Sequence, residues 1–321
     1  MNYLMASILS GYFLDIIIGD PQWRWHPVRI IGRFIEILEK KLNAVKFNRF
    51  LAGTFLVILV VSLTVVFILT SLRIAKMIHP VIYFLYSSIL IYFSLSVKSL
   101  AHEAYKVYSA LQKRDLNLAR KNLSMIVGRD TDKLDEPEII RATVETVAES
   151  IMDGIVAPVF YVFLGGPALA WAYKAINTLD SMVGYRSERF IEFGKPSARL
   201  DGWVNFIPAK ITSFLIVISG LLCAKDWLNS FKWAVKYFFK SQENNSTATE
   251  AAMAGALKIQ LGGVNFYNSV PLAKPLIGDK IRALEITHIR ESIHIAYLCS
   301  VLSLIIGVFC LAKVPPAAGF R

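Results

Sequence analysis

Long apolar runs, separated by short polar segments, set the pattern of this chain. Three of them, residues 50–72, 77–97 and 292–312, contain no Asp, Glu, Lys or Arg. A helix of about 20 apolar residues crosses a hydrocarbon core of roughly 30 Å, so each run is long enough to span a membrane. The pattern predicts a helical membrane protein.

A fourth apolar run, residues 154–173, contains helix-breaking residues. Pro158, Gly165, Gly166 and Pro167 lie inside it. Proline removes a backbone N–H from a helix, and glycine stabilises a helix poorly. We therefore expect a broken or re-entrant helix at this place.

Two further runs carry one charged residue each. Residues 207–224 contain Lys210, whose long side chain can extend to the membrane surface. Residues 1–18 contain Asp15 and lack the basic start and cleavage site of a secretory signal, so we expect a retained helix. The predicted fold is an all-α, polytopic integral membrane protein with about four to six membrane segments. It is expected to form one membrane-embedded domain over residues 1–321.

Composition and charge agree with this fold class. Of the 321 residues 55% are hydrophobic and 18% charged, and the mean hydropathy of +0.49 is too apolar for a soluble domain. The net charge of +11 fits basic cytoplasmic loops such as residues 19–50. Residues 227–240 are amphipathic, which predicts a helix in the membrane interface. No basic cluster with interleaved aromatic residues occurs, so we expect no nucleic-acid partner.

A row of charged residues begins after Asp135 or Glu136, either of which can cap a helix that has Pro137 in its first turn. Three carboxylates and a guanidinium then follow at four-residue steps: Arg141, Glu145, Glu149 and Asp153. These side chains share one helix face, where like charges repel by a few tenths of a kcal/mol per exposed pair. The row predicts a bound cation or several donors. The alternative is a solvated face in which Arg141 pairs with Glu145.

Residues 127–205 form the core polar region in which we predict a ligand site. Gly128 precedes a turn that can offer a guanidinium, backbone N–H groups and a hydroxyl to an anion: Arg129, Asp130 and Thr131. Further polar residues fall on neighbouring rows of a later helix or follow it closely: Lys174, Asn177, Asp180, Ser181, Arg186, Ser197 and Arg199.

Carboxylates beside many cations suit Mg²⁺ with a phosphorylated substrate, because Mg²⁺ binds one or two carboxylates together with phosphate oxygens. The chain contains no GxxxxGK[ST] motif, which excludes a P-loop. It also contains no HExxH or GxSxG motif, so the residues that zinc hydrolysis and acyl-enzyme chemistry require are not present in these patterns. Phosphoryl or acyl-phosphate chemistry remains.

Several motifs resemble the adenosylcobinamide-phosphate synthase family of cobalamin biosynthesis, the CbiB/CobD proteins. They are GDP…HPV, VGRDT, EIIRATVETVAES, YKAINTLDSMVGY, FGKPSARLD and EAAMAGALKIQLGG. The resemblance covers nearly the full chain. Ser150 stands where the family usually has Asn, and residues 244–249 replace Ser-Pro-Asn-Ala-Gly, with Asn245 expected to keep the role of the Asn.

The resemblance implies a membrane ligase that joins adenosylcobyric acid to aminopropanol, commonly its O-phosphate, through an amide bond. ATP is the expected cosubstrate and Mg²⁺ the expected cofactor. Expected partners are the lipid bilayer and other enzymes that assemble the nucleotide loop of cobalamin. The enzyme is expected to be a multi-pass protein of the cytoplasmic membrane.

Within this interpretation, the residues take separate expected roles. The expected metal ligands are Glu145, Glu149 and Asp153. The expected catalytic residues are Asp180 (as base or second metal ligand), Lys174 and Glu149. The expected substrate-binding residues are Arg129, Asp130, Thr131, Arg141, Asn177, Ser181, Arg186, Ser197, Arg199, His26 and Asn245. Residues 244–279 are a second segment that contributes to the site.

Use of ATP would place residues 128–153 and 177–205 together on the cytoplasmic side. Residues 154–173 must then cross an even number of times, so we expect them to enter the membrane and return. Two other functions stay open. A transporter or sensor would line a substrate path with broken helices, and a structural scaffold would leave the charged face without a function.

Overall fold

The structure, a computed structural model, describes residues 3–21, 23–44, 48–185, 189–238, 245–267 and 269–313. The chain forms two compact units. The first unit contains Met1–Ser96, Ala157–Asn205 and Ser303–Arg321, and the second contains Val97–Val156 and Phe206–Leu302. The single membrane-embedded domain over residues 1–321 stays a prediction.

The described chain is mostly helical. The elements, in chain order, are α1 (Tyr3–Ile18), α2 (Pro27–Leu42), α3 (Arg49–Ile78), α4 (Pro80–Tyr92), α5 (Val97–Gln112), α6 (Leu116–Ser124), α7 (Glu136–Ile151), a π-helical segment (Met152–Val156), α8 (Ala157–Val183), α9 (Lys195–Val204), α10 (Phe206–Leu222), α11 (Trp227–Phe238), α12 (Asn245–Leu257), β1 (Leu261–Tyr267), β2 (Val270–Ile277) and α13 (Thr287–Lys313).

Within the described ranges, four helical segments are long and apolar enough to cross a membrane: Arg49–Ile78, Pro80–Gln112, Glu136–Val183 and Thr287–Lys313. Helices α9 and α10 would add a fifth span if this broken pair crosses as one. The all-α fold class and the range of about four to six segments, some of them broken, are confirmed. Helix α1 is shorter than these spans, with 16 residues.

Helix α3 shows the surface expected of a membrane span. Phe55, Ile58 and Phe67 are each more than half exposed, although all three are large and apolar. Exposing apolar side chains costs free energy in water but not in lipid. In the hydrocarbon region, the continuous hydrogen bonds of the helix also satisfy the polar groups of the backbone.

Helix α8 contains the predicted break. The backbone leaves the helical conformation at Gly165 and Gly166, directly before Pro167. Proline disfavours the α conformation of the residue that precedes it, and Gly166 has a φ of 67°, which glycine adopts without strain. The break within residues 154–173 is confirmed, while the return of this segment to the side of entry stays a prediction.

In the first unit, the second half of α8 is held by packing. Leu179 and Val183 are buried together with Ile35 of α2 and Leu56 of α3. Farther back along α8, Trp171 is buried and donates from Nε1 to the carbonyl of Leu90 at 2.9 Å. These contacts fix the helix that carries several of the predicted site residues.

In the second unit, α12 is buried along nearly its whole length and packs against α7, α10 and α11. Its small residues allow this. A Cβ added at Gly255 would lie 2.6 Å from the carbonyl oxygen of Asn229, so a larger residue would push α11 away. Ser230 of α11 donates to the carbonyl of Ala252 at 2.7 Å. The predicted helix within residues 227–240 is confirmed, while its position in the membrane interface stays a prediction.

The sequence did not predict the antiparallel hairpin of β1 and β2. Helix α12 ends at Leu257, where Lys258 follows with a φ of 59°. Lys274 and Pro275 lie in β2, and the strand ends at Ile277. Proline fits here because each strand of a two-stranded sheet is an edge strand with one unpaired side.

Candidate functional site

A network of charged side chains joins α7 to the hairpin within the second unit. Helix α7 begins as predicted. Asp135 accepts from the backbone N–H of Glu138, whose carboxylate accepts in turn from the N–H of Asp135, and this capping box fixes the first turn. The residues that follow therefore have a defined helical phase.

Glu145 lies at the centre of the network and is 1% exposed. Its Oε2 accepts from Arg129 Nη2 at 2.5 Å, and its Oε1 accepts from the backbone N–H of Gly262 at 2.8 Å. Both oxygens thus bind protein groups. Glu145 thereby joins the loop before α7 to the hairpin, and its predicted binding of a metal stays a prediction.

Arg141 is also buried and donates to the hairpin. It donates to the carbonyl oxygens of Gly262 and Val264 and to Oδ1 of Asn265. Its Nη1 lies 3.7 Å from Glu145 Oε1, so the alternative pairing of these two residues also occurs. An arginine with these partners holds a backbone in place and has little capacity left for a phosphate.

Gly262 makes both contacts possible. Its φ is 85°, and an added Cβ would lie 2.1 Å from the carbonyl oxygen of Pro275. The pairing of the strands shifts between Leu261 and Gly263, which marks a bulge. The bulge presents the N–H of Gly262 to Glu145 and its carbonyl to Arg141.

The predicted anion-binding turn binds the hairpin as well. The N–H of Asp130 donates to the carbonyl of Phe266 at 2.8 Å, and Asp130 Oδ2 accepts from the N–H of Ser269 at 2.7 Å. Arg129 Nη1 donates to Asn265 Oδ1 at 2.6 Å. Thr131 is buried. Substrate binding by this turn stays a prediction, and its observed contacts hold the hairpin.

The other predicted residues of the second unit differ in exposure. Glu149 is exposed, Asp153 is half-buried in the π-helical segment, and Asn245 is buried at the start of α12. In the described part of the chain, no three His, Cys, Asp or Glu side chains gather in a group that could hold a metal ion. The expected ligands therefore do not form a three-carboxylate centre. Mg²⁺ needs only one or two carboxylates plus phosphate, so its binding stays a prediction.

Sequence reasoning missed one buried carboxylate beside this network. The side chain of Glu250, in α12, is 3% exposed, and its Oε1 lies 4.0 Å from Nζ of Lys274 in β2. Burial raises the pKa of Glu250 to about 8; Lys274 and Arg129 lower it, while Glu145 and Glu149 raise it. Only the predicted contribution of residues 244–279 pointed to this place.

Lys274 has the complementary environment. Burial alone lowers its pKa, but the neighbouring carboxylates of Glu250, Glu149 and Glu145 reverse this, so the pKa of Lys274 is raised overall. Lys274 is therefore a cation at any physiological pH, and its side chain is 34% exposed. A positive charge that solvent can reach stands next to a carboxylate that solvent hardly reaches.

The remaining predicted residues lie in the first unit. His26 is buried and caps α2, since Nδ1 accepts from the N–H of Val28 at 3.3 Å. Its Nε2 lies 2.7 Å from Oδ1 of Asp20. Both ring nitrogens thus face protein groups. Binding of substrate by His26 stays a prediction that these contacts do not favour.

Helix α8 and the residues after it carry the other candidates. Lys174, Asn177 and Asp180 are half-buried on α8, and Ser181 is exposed. Ser197 is buried, and its hydroxyl donates to the carbonyl of Gly194 at the start of α9 at 2.8 Å, which is a structural contact. Two predicted residues remain: exposed Arg199, and Arg186, which lies outside the described residues. The predicted site residues thus fall in two units.

Comparison with known proteins gives the family. The family described as CobD/Cbib protein matches residues 8–296. The chain belongs to this family. A relative from Clostridium perfringens, named "Cobalamin biosynthesis protein CobD", is 43% identical over 97% of this chain and 99% of its own. Relatives of the same name from Geobacter metallireducens and Klebsiella pneumoniae are 42% and 40% identical, over 91% and 93% of this chain and 92% and 95% of their own. No solved structure matches the chain.

Family membership confirms the resemblance found in the sequence. One buried polar group of this CobD/CbiB family member lies close to two of these motifs. In the first unit, Asn205 is buried, accepts from Tyr173 Oη and donates to Asp201 Oδ2, both at 3.0 Å. Asp201 is the last residue of the FGKPSARLD motif, and Asn205 lies four residues after it, so the motif was the sequence signal for this pair.

A cavity of about 500 Å³ in the first unit contains none of the predicted residues. It is lined by Glu39, Lys40, Asn43, Ala44, Arg49 and Arg189. Arg189 is already paired with buried Glu39, with Nη2 and Oε2 2.7 Å apart. Its charge is therefore largely balanced, and we do not assign the cavity to the reaction.

Proposed function

We propose that this chain is the adenosylcobinamide-phosphate synthase of cobalamin biosynthesis. The observation that carries the proposal is membership of the CobD/CbiB family over nearly the full length, with relatives named for cobalamin biosynthesis. The buried, mixed-charge network on α7, α12 and the hairpin supports it, because such charges are costly inside a membrane protein and mark functional sites by default.

The proposed reaction joins the free carboxyl of adenosylcobyric acid to the amine of aminopropanol or its O-phosphate. ATP would transfer a phosphoryl group to the carboxylate and release ADP. The amine would then attack the carbonyl carbon, forming the C–N bond while the C–O bond to phosphate breaks. Activation is required because a carboxylate oxygen is a poor leaving group, and phosphate is a good one.

The phosphates of these substrates require cations in the site. Lys274 is the cation of the second unit best placed for this role, because it is partly exposed and borders the network. Arg129 and Arg141 already donate to Glu145 and to the hairpin. Lys174 stays a candidate in the first unit.

The carboxylates fit Mg²⁺ only in part. Both oxygens of Glu145 are engaged, whereas Glu149 is exposed and makes no hydrogen bond or ion pair among the described residues. Glu149 is therefore the carboxylate that fits the ion best, with Asp153 four residues later as the second candidate. When bound, Mg²⁺ would neutralise phosphate charge. Asp180 stays a candidate base.

The enzyme would be a multi-pass protein of the cytoplasmic membrane with its site facing the cytoplasm, where ATP is available. Its helices of membrane-spanning length support the membrane part of this proposal. Cysteine labelling in sealed vesicles tests the orientation at positions 180 and 250. Modification of either position only from the external side would contradict a cytoplasmic site.

Purified protein with ATP, Mg²⁺, adenosylcobyric acid and aminopropanol phosphate tests the activity. We expect ADP and adenosylcobinamide phosphate in equal amounts, and a Glu149→Ala variant that is slower by roughly 100-fold. Glu192→Ala, at an exposed position paired with Lys195, is the matched control and should keep the rate. Corrinoid flux into vesicles without any ATP-dependent product would instead favour a transporter.

A further inference from the structure

Glu250 is the charged residue of α12 (NSTATEAAMAGAL). Buried carboxylates are usually stabilised by hydrogen bonds or a close ion pair, and the carboxylate of Glu250 differs from this pattern. It makes no hydrogen bond with any residue that the structure describes, and the cation within ion-pair range, Lys274, is at the 4.0 Å limit. A buried carboxylate without hydrogen bonds costs several kcal/mol when ionised. A structural carboxylate such as Glu145 looks different, because both of its oxygens are bound.

Charged side chains surround Glu250, and two of them are accessible to solvent. Lys274 on β2 and Arg129 before α7 face it as cations, and Glu145 and Glu149 on α7 face it as carboxylates. Glu149 is exposed and Lys274 is one-third exposed, so the carboxylate of Glu250 lies about one side chain below the surface. A small amine that binds beside Lys274 would meet it.

We propose that Glu250 is the catalytic carboxylate that takes the proton from the attacking amine, and that Lys274 is a positioning residue that stabilises its ionised form. This inference rests on the proposed amide-forming function. It assigns the base to a residue of the second unit in place of Asp180. It also explains why this carboxylate makes no hydrogen bond within the described part of the chain.

The proposed step balances in atoms and charge. The substrates are an acyl phosphate and a primary ammonium ion with three N–H protons. One proton passes to Glu250, which frees the lone pair for attack on the carbonyl carbon. The C–N bond forms, the C–O bond breaks, and the phosphate leaves with the electron pair. The second proton leaves on hydrogen phosphate, and the third stays in the amide N–H.

The environment of Glu250 suits a base for this amine. Its raised pKa of about 8 brings it closer to that of an ordinary amine than an exposed glutamate would be. Proton transfer is most effective when donor and acceptor are close in pKa and when the base is ionised near the working pH.

The test compares two nucleophiles on one activated substrate. Wild-type protein and Glu250→Gln receive ATP, Mg²⁺ and adenosylcobyric acid with either aminopropanol phosphate or hydroxylamine. Hydroxylamine is uncharged near neutral pH and needs no base, so it traps the acyl phosphate as a hydroxamate. We expect Glu250→Gln to lose roughly 100-fold or more in amide formation while hydroxamate formation is retained.

Glu291→Gln is the matched control. Glu291 is also a partly buried glutamate of the second unit, 2.7 Å from its lysine partner Lys225, and the same substitution there should leave both rates unchanged. Lys274 is tested by the pH dependence of amide formation. Lys274→Met should shift the acid limb to higher pH, because removal of the cation raises the pKa of Glu250 further, and Lys274→Arg should restore the profile.

The outcomes separate the two proposals. If wild-type protein forms neither amide nor hydroxamate, the proposed function fails and this inference fails with it. If wild-type protein is active but Glu250→Gln keeps amide formation, or loses both reactions equally, only the role of Glu250 as base is overturned. An acid limb that Lys274→Met leaves in place would overturn the role of Lys274.

Discussion

The burial of Glu250 predicts an effect of pH on stability that can be measured without any substrate. In the native state its pKa is raised from 4.5 to about 8, so the native state keeps a proton that the unfolded chain releases. Stability from this residue is fully present below about pH 4.5 and is lost as the pH rises to about 8, above which no further loss occurs. Glu250→Gln cannot ionise and should escape this loss.

The size of the effect follows from the same shift. About 3.5 pH units separate the two pKa values, and each unit corresponds to about 1.4 kcal/mol. The largest gain expected from Glu250→Gln is therefore about 5 kcal/mol, reached at pH 8 and above. At pH 5 the gain should be below about 1 kcal/mol, because this pH lies only about half a unit above the unfolded-state pKa of 4.5.

Thermal unfolding in detergent, followed by tryptophan fluorescence between pH 5 and pH 9, measures the effect. The difference in Tm between Glu250→Gln and wild type should grow up to about pH 8 and then stay constant. Glu192→Gln, at a position 53% exposed, controls for the general effect of pH. A difference in Tm that is the same at all pH values would refute the reasoning, since it would show that Glu250 does not titrate between these limits.

Three further predictions concern the network around the hairpin. Arg129→Met or Glu145→Met alone should lower the free energy of unfolding by about 3–5 kcal/mol, since each removes one partner of a buried ion pair, while the double variant should lose less, as unfolding midpoints would show. Gly262→Ala should lower the free energy of unfolding by about 1–3 kcal/mol or more, and with it the Tm, because alanine is strained at a φ of 85°. An unchanged Tm would argue against the bulge. Asp130→Ala removes the acceptor for the N–H of Ser269, so limited proteolysis should cut the hairpin faster than in Asp132→Ala, an exposed neighbour.

Local signals in the sequence were sufficient for the start of α7 and the break in α8. The capping box needs only Asp135 and Glu138, three residues apart, and the break needs only Gly165, Gly166 and Pro167. Interactions within a few residues decide both features. Membrane spans are predictable for a related reason, because a long apolar helix depends on its own composition.

The roles of individual charged residues depended on partners far along the chain. Glu145 was expected to bind a metal, but its second partner, the N–H of Gly262, lies 117 residues later. Glu250 shows no sign in the sequence of being a special carboxylate, because its burial results from the packing of α12 against α7, α10 and α11. The hairpin was missed because its glycines and prolines predict turns unless the bulge is known.

The hairpin is joined to the rest of the second unit mainly through its main chain. Arg141 and Glu145 bind the backbone of Gly262 and Val264, and Asp130 binds that of Phe266 and Ser269.

Exposed side chains on the hairpin, unlike that of Asn265, can therefore change while the main-chain attachment stays the same. Val264, Phe266 and Leu272 are each at least 45% exposed and take part in none of the polar contacts by their side chains. A library randomised at these three positions should yield folded variants at high frequency. The hairpin thus keeps its main-chain attachment while its exposed side chains vary, so different large ligands could be selected for at this surface.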